Sequence, residues 1–243
     1  MQPSEKPTVA YHRPAVAEYP EWRLSTSWRL GYQVAIRTLH PQPGQTVLDL
    51  GCGPGRITHH LAAHYEVSAI GIDTSLTMIK MARERNAHPQ VTYQHGDGQT
   101  IDLPDESVDA VLCCFVYVAI AERTGLEKLT AEAHRVLRPG GRFVVLDPNP
   151  DSAGVRFRDM RSGDPGQDYA EGEPRRAVLF AADGTEVELS DHHWPTEVYT
   201  GVFRAAGFEN LQVQAPVLPE TVKASGWDAE REHPPCVIIS GRR

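Results

Sequence analysis

Apolar runs alternate with amphipathic stretches over most of this chain, and the spacing within each predicts its element. Trp28, Tyr32, Ile36 and Leu39 recur at helical intervals, with Ser25 and Ser27 ahead of them as caps and Pro41 to Gly44 as a stop. The pattern then predicts a strand over 46–50, a helix over 56–64, a strand over 67–73, and a helix capped by Thr74 that reaches Arg85. Strands over 91–95 and 109–116 follow. A helix carrying Leu126, Leu129, Ala133 and Leu137 turns through "RPGG" into a strand over 142–146. Near the end the pattern predicts a helix over 197–206 and strands over 211–214 and 236–240.

Continuously apolar strands separated by helices mean a sheet buried on both faces, which is the property of parallel sheets. The fold expected is therefore α/β: a doubly wound, Rossmann-like, mostly parallel sheet whose last strand runs antiparallel. Between Pro148 and Trp194 the order breaks into a stretch rich in glycine, proline and charge, followed by "RAVLFAADGTEVELS". Asp183-Gly184 between two strand-like runs is a hairpin signal, so 148–194 is read as an inserted β-hairpin flap that caps the substrate. The whole of 1–243 forms one domain on this reading, with 1–40 as an N-terminal helical arm.

A length of 243 residues with 40% hydrophobic content suits one sizeable core. The net charge of −8 opposes general attraction to nucleic acid or anionic membranes. Cys52, Cys113, Cys114 and Cys236 lack metal-binding spacing and fit reduced, buried thiols. The polar, proline-punctuated N-terminus lacks the apolar core of a secretion signal, and no segment reaches the roughly 20 apolar residues of a membrane helix. A cytoplasmic protein, monomer or homodimer, is expected.

The chemistry centres on "LDLGCGPGRI" at residues 48–57. Ligands of open α/β sheets bind beyond the carboxyl ends of the strands, where strand order reverses, and this loop follows the first strand. A dinucleotide fingerprint would read G-x-G-x-x-G, with pyrophosphate on the helix N-terminus. Here Gly51, Gly53 and Gly55 stand at alternate positions, Arg56 takes the place of the late glycine, and Asp49 precedes the loop, where it would repel pyrophosphate and attract a cation.

With these residues the chain resembles the class I S-adenosylmethionine-dependent methyltransferases, over roughly 46–146. The resemblance implies S-adenosyl-L-methionine as cofactor and S-adenosyl-L-homocysteine as product. It implies cofactor contacts from Asp49, Gly51, Cys52 and Gly53. Asp73 would accept the ribose hydroxyls, with Thr74 beside it, and Asp97 of "GDG" would meet the adenine amino group, with Gly98 beside it. "LRPGG" at 137–141 also matches. Arg29 would pair with the methionine carboxylate, Cys114, Phe115 and Val116 would line the methionine end, and Tyr19 of the arm would close over the cofactor.

Methyl transfer asks the protein to align a nucleophile and exclude water, with a base where the acceptor requires one. His193 and His192 in "DHHWPTEV" are the candidate bases, since they link the flap to the following helix. Similar small-molecule methyltransferases carry a histidine there, often followed by arginine, where this chain has Trp194. Tyr11, Phe115, Tyr117 and Trp194 are the candidate substrate walls; Trp22 and Tyr199 could add aromatic surface that favours a sulfonium. His59, His60 and His64 are read as one helix face rather than a metal site.

The N/D-P-P-Y motif of amino methyltransferases acting on adenine or glutamine is missing after the fourth strand, which reads "CCFVYV"; "DPNP" at 147–150 follows the fifth. Asp147 and Asn149 are only fragments of a catechol-type metal cluster, so no metal is expected. A small-molecule acceptor remains. Twenty arginines against four lysines suggest a GC-rich bacterial source and, with it, natural-product biosynthesis. Two alternatives stand beside this reading: a non-catalytic or regulatory S-adenosylmethionine-binding protein, and an NAD(P)-dependent oxidoreductase.

Overall fold

Alternate side chains of the central strands enter two separate apolar layers, and this accounts for their uninterrupted hydrophobic character. The structure, a computed structural model, describes residues 25–181, 184–222 and 225–243. Its main sheet has seven strands in the order β3-β2-β1-β4-β5-β10-β9. They are β1 (Thr46–Leu50), β2 (Ser68–Asp73), β3 (Val91–His95), β4 (Val108–Cys114), β5 (Leu137–Pro148), β9 (Glu209–Gln214) and β10 (Cys236–Arg242). Neighbours from β3 through β5 pair in parallel, whereas β10 runs antiparallel to both β5 and β9. The expected antiparallel last strand is present.

Helices cover both faces: α1 (Gln33–Leu39), α2 (Arg56–Tyr65), α3 (Leu76–Arg85), α4 (Arg123–Val136) and α5 (Thr196–Ala205). Leu48, Val111, Phe143 and Val145 pack with Leu126, Leu129, Val202 and Phe203 of α4 and α5. Their strand neighbours Val47, Leu112, Val144 and Leu146 pack on the other face with Ile36, Leu39, Ile57 and Leu61 of α1 and α2. Phe143 and Phe203 stack at 4.9 Å, an arrangement worth about 0.5–1.5 kcal/mol beyond burial.

Several expected boundaries shift for local reasons. The first helix begins as a wide π-type turn over Ser27–Tyr32, where Ser25 Oγ accepts the Trp28 N–H. Ser75, not Thr74, caps α3: its Oγ accepts the Met78 N–H at 3.3 Å. Leu137 leaves α4 and already pairs with Val108, so "RPGG" is absorbed into β5 with a register shift instead of forming a separate turn before it. A short helix, α6 (Asp228–Glu232), was not foreseen.

The insertion is a sheet of its own, with three antiparallel strands: β6 (Met160–Ser162), β7 (Pro174–Phe180) and β8 (Glu186–His192). The foreseen hairpin is β7–β8, although Asp183 of its turn lies outside the described residues, as do Tyr11, Tyr19 and Trp22. Trp194, just past β8, is 2% exposed and donates its indole N–H to the Ile120 carbonyl at 3.0 Å. It therefore belongs to the core that fastens the flap. Among the described residues no helix is long and apolar enough to cross a membrane.

Trp194→Ala should lower the free energy of unfolding by about 3–5 kcal/mol, measured by urea titration. A loss within a few tenths of a kcal/mol would remove Trp194 from the core.

Candidate functional site

The order of the sheet reverses between β1 and β4, and the ends of these strands open into a cavity of about 640 Å³ roofed by the flap. Its floor is the glycine loop. Gly51, Gly53 and Gly55 adopt φ of 77°, 52° and 81°, a left-handed backbone that side chains disfavour. A Cβ on Gly51 would strike Val116 Cγ2, and one on Gly55 would lie 2.5 Å from the Tyr93 hydroxyl. On Gly53 a Cβ would meet nothing within 4 Å: at the tip of the turn the backbone borders open space.

Asp73 ties this loop to β2. Its Oδ2 accepts the Gly53 N–H and its Oδ1 the Ser75 N–H, each at 2.8 Å, and the residue lines the cavity. Each oxygen keeps acceptor capacity for a ligand hydroxyl. Gly51, Cys52, Thr74, Gly98, Cys114 and Phe115 line the cavity too. Phe115 stands at φ 57°, where β4 ends, and its N–H donates to the Leu146 carbonyl at 2.7 Å.

Other expected contacts lie elsewhere. Asp49 is 2% exposed and accepts the Thr58 hydroxyl at 2.6 Å, so it anchors the first turn of α2 beneath the loop instead of lining the cavity. Burial pushes its pKa from 3.8 up to about 7. Asp97 borders a neighbouring recess that shares Ile72 and Thr100 with the main cavity. Its carboxylate accepts the Thr100 and Gln99 N–H groups and the Thr100 hydroxyl, which hold its pKa below the usual range. Arg29 lays its guanidinium 5.3 Å from the Trp227 ring centre, away from the lining; Arg56 is an arginine that does line the cavity. Tyr117 is fully buried, hydrogen-bonded to Thr130 at 2.5 Å and stacked on Tyr199 at 5.6 Å. Like Trp194 it packs the core instead of forming a substrate wall.

The two histidines separate. His192 lines the cavity, and its Nδ1–H donates to the Val118 carbonyl at 3.3 Å, which leaves Nε2 as the basic nitrogen. His193 does not line it. Its Nδ1 accepts from the Arg175 guanidinium at 3.2 Å and its ring stacks on Tyr169; burial and then Arg175 lower its pKa.

The flap and the first helix supply residues that the sequence pattern did not single out for the site. Tyr32, Asp159, Met160, Leu179 and Asp191 line the cavity. Asp191 is 1% exposed, accepts the Ser162 hydroxyl at 3.0 Å, and is pushed by burial to a pKa of about 8. The sequence signal for Asp191 was its place directly after the strand-like run that ends at Ser190. No cluster of metal-ligating side chains occurs among the described residues, and the four cysteines are free and buried.

Residues 47–141 match a family model described as a methyltransferase domain. An N-demethylindolmycin N-methyltransferase from Streptomyces griseus is 32% identical over 204 residues, 81% of this chain and 86% of that protein. Among solved structures, an S-adenosylmethionine-dependent methyltransferase from Mesorhizobium loti matches with a TM-score of 0.67 at 19% identity, over 90% of this chain and 98% of that one. The CcbJ methyltransferase from Streptomyces caelestis matches with a TM-score of 0.65 at 19% identity, over 95% and 96% of the two chains.

Asp49 generates a prediction about stability. The unfolded chain releases this proton near pH 3.8, whereas the folded chain holds it to about pH 7, so the contribution present at low pH is lost as pH rises through that window. Asp49→Asn retains an acceptor for Thr58 and should gain stability over wild type progressively as pH rises from about 4 to about 7 in urea titrations. Parallel pH profiles would rule out the buried carboxyl as the source.

Proposed function

The chain belongs to the class I S-adenosylmethionine-dependent methyltransferases, and we propose that within this family it methylates a small, largely apolar molecule held beneath the flap. Membership makes S-adenosyl-L-methionine the cofactor and S-adenosyl-L-homocysteine the product, and it removes the NAD(P)-dependent alternative. The observation that carries the small-molecule reading is the single cavity shared by the glycine loop and the flap, with Phe115, Val116, Ile120, Leu129, Met160 and Leu179 on its walls. Relation over most of both chains to an enzyme named for N-demethylindolmycin supports a role in secondary metabolism. The acidic net charge supports a small molecule over nucleic acid.

The residues present fit the cofactor. Asp73 has acceptor capacity beyond its two backbone donors, as a ribose diol needs, and the open space at Gly53 admits a ligand against the backbone. Asp73 would therefore hold the ribose, Thr74, Gly98 and Thr100 the adenine side, and Cys114 and Phe115 the methionine end. Bound there, the cofactor supplies a methyl group on a positively charged sulfur, an already activated leaving group. What remains for the chain is alignment and exclusion of water, which the roof and apolar walls serve. An acceptor that must lose a proton would pass it to His192 Nε2, because the Val118 carbonyl engages Nδ1.

Two substitutions test these assignments. Asp73→Ala should weaken S-adenosylhomocysteine binding by about 1–3 kcal/mol in calorimetry; unchanged affinity would refute its role. His192→Ala should reduce kcat by about 10²–10⁴-fold with S-adenosylhomocysteine affinity preserved. If His193→Ala shows that selective loss and His192→Ala does not, the assignment of the base reverses.

A further inference from the structure

Placing the cofactor leaves one of its groups without a counterpart. Its methionine carboxylate is an anion in a poorly solvated cavity, which calls for a donor of opposite charge. Arg29, expected in that role, turns its guanidinium to the Trp227 ring and does not line the cavity. Arg56 beside the glycine loop and Arg161 on the flap do line it.

Position separates these two. Arg56 is the first residue of α2, directly after the left-handed Gly55, so the loop that forms the floor also sets its place. Tyr32, another lining residue, packs edge-on against Phe115 with ring centres 5.5 Å apart, at the end of the cavity assigned to methionine. Arg56 is half-buried beside that phenol: burial lowers its pKa, Tyr32 opposes the shift, and the like charge of Arg85 adds to it. An incoming carboxylate would offset both the burial and the repulsion. Arg161 instead directs a terminal nitrogen to Asp164 at 3.4 Å. The acids of the floor leave this end open to an anion. Asp49 is buried beneath the loop and bonded to Thr58, and Asp73 marks the ribose side with both oxygens on backbone N–H groups.

We propose that Arg56 holds the methionine carboxylate of the cofactor, so that the glycine loop and the first turn of α2, and not the N-terminal helix, supply the charge that fixes this end. This rests on the methyltransferase reading and adds a specificity-determining residue to its cofactor site. A forked guanidinium distinguishes the full amino acid from the same molecule lacking its carboxylate. The sulfur, which joins the ribose to the amino-acid chain, is then tethered on both sides, by Asp73 and by Arg56. Transfer to an acceptor requires that alignment.

The test titrates the full chain calorimetrically with S-adenosylhomocysteine and with S-adenosyl-3-thiopropylamine, which is the same molecule without its carboxylate. Wild type should bind the first about 10–100-fold tighter, as for a charge-assisted pair. Arg56→Gln should remove most of that preference and leave the affinity for the carboxylate-free probe unchanged, which also shows the site intact. Arg29→Gln and Arg161→Gln should retain the preference. A wild type without preference, or a preference that survives Arg56→Gln, overturns the proposal. So does its loss in Arg29→Gln or Arg161→Gln, which would move the carboxylate to that residue. An equal loss for both probes in Arg56→Gln overturns it too, by making Arg56 a structural residue. Failure of wild type to bind either probe strikes instead at the cofactor assignment beneath it.

Discussion

Between β1 and α2 the backbone must turn back on itself beneath the cavity, along a left-handed path that glycine follows without strain. Gly51 has no room for a side chain against Val116, and Gly55 has none against Tyr93. The Gly53 N–H is bound by Asp73, whose other oxygen holds the start of α3, so one carboxylate fixes two loops relative to each other. Everything downstream inherits that geometry: the floor of the cavity, the position of Thr74 on its wall, and the edge against which the flap closes.

Two acids of the same type on adjacent strands do different work because they lie at different depths. Asp73 stands at the open end of β2, satisfied by backbone donors yet able to accept more. Asp49, inside β1 and paired in register with Gly71, is cut off from the cavity by the loop and turns to Thr58. The sequence motif marks both residues, but burial decides that the first lines the cavity and the second anchors a helix. The attraction of a cation by Asp49, expected from its place ahead of the glycines, is therefore at most a field effect through the loop.

The sheet and its helices were legible because each strand is apolar on both faces and each helix on one, which is a property of single segments. The site was legible only where a motif fixes the backbone. Around the glycine loop Gly51, Cys52, Gly53, Asp73 and Thr74 line one cavity while Asp49 lies beneath it; in the flap, where position depends on how a separate sheet docks, the reading was coarser. Tyr117 and Trp194 look like substrate walls as isolated aromatics, but Thr130, Tyr199 and Ile120 draw them into the core. His193, expected ahead of His192 as the base, turns out to be the one outside the cavity, because neighbours leaving a strand face different sides. Asp159 carried no signal at all, since it is buried against Thr26, more than a hundred residues away.

The flap therefore has a chemistry of its own, distinct from simple cover. It presents two buried acids, Asp159 and Asp191, together with Arg161 and His192, to a space that must admit a positively charged sulfur. Bare carboxylates there would be costly in the absence of a cation, and Asp191, with a pKa of about 8, avoids that cost by holding its proton near neutrality. A cation entering the cavity would lower that pKa and draw the charge out where it is needed.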